Sequence, residues 1–219
     1  LLIFHSLEKL QKKNKPVLLS TGASNVDEIS NAVNEIKKLN SNNLCLMHCI
    51  LNYPTEDTDA NLNMILGLKK QFKDINIGYS DHTRPDLNML KLTLAFLKGA
   101  TVLEKHFTND KTLPGNDHFH AMDVDDLKLF CKNIEIINAT NGSIEKKPIL
   151  SEEASRKNAR RSIIINKNLL KNDILNENNL TYKRPGSGIS PIHWDEIIGK
   201  RVNKALNSDH ILQWEDLEL

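Results

Sequence analysis

Cysteine is scarce: only Cys45, Cys49 and Cys131 occur in 219 residues. An odd, sparse count cannot make a disulfide framework, and it fits a reducing, cytoplasmic compartment. Charge bias is missing too, since 29 Lys and Arg offset 28 Asp and Glu for a formal net charge of +1. Nothing in such a balance points to a nucleic-acid binder or a polybasic membrane protein. No uninterrupted apolar run approaches the ~20 residues that cross a bilayer. The opening stretch LLIFHSLEKLQKKNK carries its charge after its apolar residues and lacks a small-residue cleavage site, unlike a secretory signal. It reads as the interior of an amphipathic helix. A chain opening on Leu1 inside a helix is expected to be part of a longer one.

What is present is an alternation. Four short apolar runs, PVLLS (16–20), NLCLMHC (43–49), INIGYS (75–80) and ATVLEKHF (100–107), are separated by helical patterns. In NVDEISNAVNEIKKL the apolar positions 26, 29, 33, 36 and 39 fall at helical spacing. DANLNMILGLKKQF and DLNMLKLTLAFLKG follow the same rule, and DVDDLKLFCKNIEIINAT (123–140) supplies a further helix. Asn25 or Asp27, Asp59 and Asp86 are placed to cap the first turns, and Gly99 to end a helix. Short buried strands alternating with helices predict βα units and a parallel sheet. That sheet is either half of an eight-stranded barrel or a small open sheet. All four strands end in polar residues (Ser20-Thr21-Gly22, His48, Ser80-Asp81-His82 and Glu104 to His106), which favours the barrel, where chemistry collects at the C-terminal strand ends. Residues 1–139 are therefore expected to form the half-barrel. Residues 140–157, polar and charged, read as a linker, and 158–219 as a small domain of short strands with little helix.

His82 in GYSDHT and His106 in LEKHF stand 24 residues apart, each just after an apolar run. If their strands are neighbours ~4.8 Å apart, both imidazoles reach one rim. Two imidazoles do not close a structural zinc site, but they suit a divalent ion with open positions. The alternative is a pair of hydrogen-bonded rim histidines without an ion. Glu104, two residues before His106, shares its face and is placed to hold a water or act as a base. Ser20 and Ser80 offer hydroxyls to an anion, or simply cap turns. Asp117 in LPGND meets a sugar hydroxyl, or is a loop acid. Cys45 and Cys49 read as strand core, His48 as a satisfied core histidine. His118 and His120 sit in a loop and receive no assignment.

Taken together, LLSTG (18–22), HCILNYPT (48–55), IGYSDHT (77–83), LEKHFTNDKTLPGNDH (103–118) and KRPGSGISP (183–191) resemble the N-acetylneuraminate (sialic acid) synthase family, across essentially the whole chain. The resemblance implies the C-terminal half of a TIM (β/α)8 barrel, strands five to eight, followed by a small SAF, or antifreeze-like, domain. It implies an enzyme that condenses phosphoenolpyruvate with N-acetylmannosamine or a related N-acyl amino sugar, giving a nine-carbon α-keto acid and phosphate. By the same resemblance His82 and His106 are ligands of Mn2+ or Mg2+, and Glu104 is the acid beside a metal-bound water. Ser20 and Ser80 contact phosphoenolpyruvate, and Tyr53 and Asp117 the sugar. Arg184 serves the neighbouring subunit's barrel in a domain-swapped homodimer. Cys49-Ile50 departs from the family's frequent Cys-Thr. A substrate-binding acid and the lysines that balance phosphoenolpyruvate belong to the half-barrel this chain does not match, and without it the chain is expected to be inactive. Synthases of legionaminic or pseudaminic acids share these motifs, and a non-catalytic relic keeping the SAF domain is the alternative of another class.

Overall fold

The computed structural model describes residues 15–38, 43–115 and 117–218. The opening helix expected over the first residues lies outside them. The chain divides into two compact units, Leu1–Gly142 and Ser143–Leu219.

In the first unit four strands, β1 (Val17–Ser20), β2 (Leu44–His48), β3 (Asn76–Asp81) and β4 (Leu103–Lys105), form one sheet in chain order. Each pairs with the next in parallel. Helices α1 (Val26–Lys38), α2 (Asn63–Gln71) and α3 (Leu90–Leu97) make the connections, and α4 (Val124–Asn141) follows β4. This is an α/β half-barrel built of consecutive βα units. Every residue of β2 is buried, whereas β1, at the sheet edge, alternates buried and exposed.

That alternation separates two faces. Val17, Leu19, Leu44, Leu46, Ile77 and Tyr79 pack against Ile29, Val33, Ile36, Ile65, Leu68 and Leu92 of the helices. Each such apolar side chain, fully buried, contributes about 1.5–3 kcal/mol. The in-between positions, Leu18, Ser20, Met47, Gly78, Ser80 and Glu104, face the other way, the inner side of the half-barrel. Leu18 is 55 % exposed there.

The helix starts are set by short polar side chains. Asn25 and Glu28 exchange hydrogen bonds with each other's backbone N–H, a reciprocal cap on α1. The Asp86 carboxylate accepts from Asn88, Leu90 and Lys91 N–H at the start of α3. Asp123 caps α4 through Asp125 and Asp126 N–H. Lys111 and these backbone donors hold its carboxyl down at about 2. Asp59 does not cap a helix. It closes a short 3-10 turn (Asp57–Asp59), and α2 begins after Leu62. Gly99, at φ +89°, ends α3 in a conformation that side chains resist.

In the second unit a 3-10 turn (Leu150–Glu152) runs into α5 (Glu153–Ala159), so the stretch expected as linker contains a helix. Antiparallel β5 (Ser162–Ile165) and β6 (Leu180–Lys183), α6 (Trp194–Ile197) and several isolated bridges enclose Ile163, Ile165, Leu175, Ile189, Ile197, Val202 and Leu212.

Candidate active site at the ends of β3 and β4

Parallel pairing of β3 with β4 puts Ser80 opposite Glu104 and Asp81 opposite Lys105. Parity then decides which way each side chain points. Ser80, His82, Glu104 and His106 share the inner face, while Asp81 and Lys105 turn to the helix side. There Lys105 Nζ donates to Asp81 Oδ2 at 2.8 Å and to Thr83 O at 2.6 Å. Both side chains are essentially inaccessible, at 1 % and 2 % exposure. Asp81 Oδ1 accepts from Tyr79 OH and from Thr83 N and Oγ1, so the buried carboxylate is fully partnered.

On the inner face, His82 is buried. Its Nδ1 lies 2.6 Å from Ile50 O and its Nε2 3.3 Å from Ser80 Oγ. A carbonyl accepts only, so Nδ1 carries the proton and Nε2 presents its lone pair, the tautomer a metal ligand needs. The His106 ring centre is 5.6 Å from that of His82 and 5.1 Å from that of His120. Tyr53 lies over the group, 4.2 Å from His82 and 5.7 Å from His106. Burial, then the Cys49 thiol and the Glu104 and Asp117 carboxylates, push its phenol upward, so it stays protonated and able to donate.

The loop after β4 returns over this face. A bridge between Phe107 and Met122, with the hydrogen bond Met122 N to His106 O, holds its two ends together. Asp117 Oδ1 thereby comes within 3.8 Å of His106 Nδ1 and 3.9 Å of His120 Nε2. His106, Asp117 and His120 present three donor atoms within 4.8 Å of one another, the one such group among the described residues. His120 is wholly buried, yet neither ring nitrogen has a hydrogen-bond partner among the described residues. Burial first, then the neighbouring His106, hold its imidazole below the ordinary histidine value, with Asp117 opposing. A neutral, unpartnered imidazole beside a carboxylate is a donor set that fits a divalent ion.

Of the residues singled out in sequence, Tyr53, Ser80, His82, Glu104, His106 and Asp117 come together here. Ser20 ends edge strand β1, with β2 between it and β3. Arg184 is exposed in the second unit, next to Pro185. His48 faces the helices, bonded to Ala60 O and stacked on Tyr79. His118 is tied to Thr108 Oγ1 at 2.7 Å. Sequence reasoning missed His120 and the Asp81–Lys105 pair. The available signal for the pair was a charge of opposite sign directly beside each histidine.

Residues 1–146 match the NeuB family, and residues 160–218 match the SAF domain. The N,N'-diacetyllegionaminic acid synthase of Campylobacter jejuni is 38 % identical over 210 residues, covering 94 % of this chain and 61 % of that protein. The human N-acetylneuraminate-9-phosphate synthase is 30 % identical over 213 residues, 97 % of this chain and 58 % of that one. The crystal structure of N-acetylneuraminic acid (sialic acid) synthetase from Leptospira borgpetersenii, in complex with citrate, superposes with a TM-score of 0.60 at 34 % identity. That match covers 69 % of this chain and 51 % of the other. The chain thus spans about three fifths of the length of these curated relatives.

Proposed function

Because this chain belongs to the NeuB family, we propose that it carries the metal-binding wall of a synthase joining phosphoenolpyruvate to an N-acyl amino sugar. The observation that carries this reading is the convergence of Tyr53, His82, His106 and Asp117 at the ends of β3 and β4. In the reaction, carbon 3 of phosphoenolpyruvate bonds to the sugar's aldehyde carbon, water adds at carbon 2, and phosphate leaves by C–O cleavage. A divalent ion, Mn2+ or Mg2+, held by His82 Nε2 and His106, supplies Lewis-acid polarisation of the aldehyde oxygen when bound.

This chain's own groups do the rest. Ile50 O fixes the His82 tautomer. Glu104, level with Ser80 on the inner face, accepts or returns the proton of a water at the reacting centre. Ser80 and Ser20 present hydroxyls to the phosphate or carboxylate of phosphoenolpyruvate. The Tyr53 phenol and the Asp117 carboxylate meet sugar hydroxyls. Arg184 reaches the sugar's acyl group from the partner subunit, which makes the working assembly a domain-swapped homodimer.

The 38 % identity to an N,N'-diacetyllegionaminic acid synthase, against 30 % to an N-acetylneuraminate-9-phosphate synthase, favours a diacetamido sugar of the legionaminic type as acceptor. The test is phosphate release from phosphoenolpyruvate by the full-length protein with a panel of N-acyl hexosamines, with and without Mn2+. Metal-dependent release with at least one sugar is expected. No release with any sugar sinks the synthase reading.

A further inference from the structure

His120 is a histidine with nothing to do as a packing residue. Its side chain is 0 % exposed, and both ring nitrogens lack a hydrogen-bond partner among the described residues. Leaving a buried polar group unpaired costs about 1–3 kcal/mol, so an apolar ring would pack there at less expense. The surroundings are those of a ring held in a cage. Phe119 meets it edge-on at 5.0 Å, Tyr53 tilts against it at 6.2 Å and His106 at 5.1 Å. Its Nε2 faces the same Asp117 oxygen that His106 Nδ1 faces, at 3.9 and 3.8 Å. These separations are too long for hydrogen bonds. They exceed by less than ~1 Å the ~3.0–3.4 Å that separates adjacent donors around an ion with ~2.1 Å bonds.

The geometry points to His120 as a third nitrogen ligand of the metal beside His82 and His106, with the Asp117 carboxylate, read above as a sugar contact, facing both His106 and His120. The consequence is selectivity. Mg2+ prefers oxygen donors and keeps its waters, while imidazole nitrogens favour the transition ions. A third imidazole therefore biases the site toward Mn2+ and the later divalent metals and against Mg2+. One of the two orphaned nitrogens is thereby accounted for, because a metal takes its lone pair. The assignment rests on the metal-dependent reading above and adds to it the ligand count and the class of metal.

The test counts nitrogens. Mn2+ alone is added to the full-length protein, and the histidine nitrogens coupled to the bound ion are counted by pulsed electron paramagnetic resonance. Three are expected. Bound Mn2+ with two nitrogens overturns the role of His120 and leaves the metal reading in place, whereas no bound Mn2+ removes both. The count on the unsubstituted protein decides even if a variant fails to fold. His120→Phe, which keeps an aromatic ring in the cage, is expected to lose one nitrogen. It should also weaken Mn2+ binding at least ~10-fold by calorimetry while changing Mg2+ binding far less. Equal Mn2+ affinity in the variant and the unsubstituted protein overturns the assignment.

Discussion

Lys105 Nζ and Asp81 Oδ2 lie 2.8 Å apart in the core behind the two histidines. Each member of the pair is the chain neighbour of one candidate ligand, Asp81 of His82 and Lys105 of His106. The pair therefore ties the ends of β3 and β4 at the level where the ligands leave the sheet. Lys105→Met would leave Asp81 Oδ2 buried without its cation, a loss of about 3–5 kcal/mol. Urea unfolding of the full-length protein should show a drop of that order. The double variant Asp81→Asn with Lys105→Met should recover part of the stability, because no charge is left unpaired and the amide oxygen can still accept from Tyr79 OH and Thr83. If the single and double variants unfold alike, the pair is not what Lys105 contributes.

Gly78 marks a second tight point of the same sheet. A Cβ there would lie 2.7 Å from Val102 O and collide with Met47 Sδ. The thioether can move, but the carbonyl belongs to the backbone entering β4. Gly78→Ala is expected to destabilise by about 1–3 kcal/mol, read as a shift in the urea midpoint. Adding Met47→Ala should not restore stability, because the clash with Val102 O remains. Full recovery in the double variant would place the strain on the sulfur instead.

The strands and helices were legible because buried parallel strands are apolar along their whole length and their connecting helices are amphipathic. Asn25, Asp86 and Gly99 follow local capping chemistry, which sequence carries. Asp59 does not, because the chain makes a 3-10 turn and continues through Leu62 before α2 starts. The approach of His82 to His106 follows from strand adjacency and side-chain parity. The burial of His120 has no such local signature. Its cage is assembled from Tyr53 after β2, His106 after β4 and Phe119 in its own loop, segments whose approach only the folded chain fixes. Lys105 escaped notice because a lysine in an apolar run reads as the exposed side of the strand, whereas its partner lies buried one strand away.

His82 and His106 should each be indispensable to turnover. Loss of Lewis-acid stabilisation worth several kcal/mol corresponds to roughly 10³-fold or more in rate. Phosphate release by full-length His82→Ala and His106→Ala should fall by at least that much, and added Mn2+ should not restore it. Near-normal turnover in both would mean that the rim histidines hold no catalytic ion.

Arg184 is expected to separate the two substrates. A hydrogen bond from a charged group is worth about 1.5–3 kcal/mol, so Arg184→Ala should raise KM for the sugar roughly 10- to 100-fold and leave KM for phosphoenolpyruvate nearly unchanged. If the arginine acts across the dimer, mixing Arg184→Ala subunits with His82→Ala subunits should restore activity. A mixed dimer then pairs one intact barrel with one intact arginine. Equal losses for both substrates, or no recovery on mixing, would count against the role in the partner's site.

The second unit is expected to show a pH dependence centred on buried Asp216. Its carboxylate accepts from Lys204 Nζ at 2.6 Å, from His210 Nε2 at 2.7 Å and from Gln213 N at 2.9 Å. Burial alone would raise this carboxyl, but the bonds from Lys204, His210 and Gln213 outweigh it and hold the group below the ordinary 3.8. A carboxyl depressed on folding stabilises fully above its ordinary value, and that stability is lost as pH falls through the depressed one. Thermal unfolding followed by the fluorescence of Trp194 and Trp214, both in this unit, should therefore move steeply downward below about pH 4. Asp216→Asn should be less stable at pH 7 and lose this part of the acid slope, since the amide does not titrate. A variant with the unsubstituted protein's full acid slope would assign the dependence to other carboxylates.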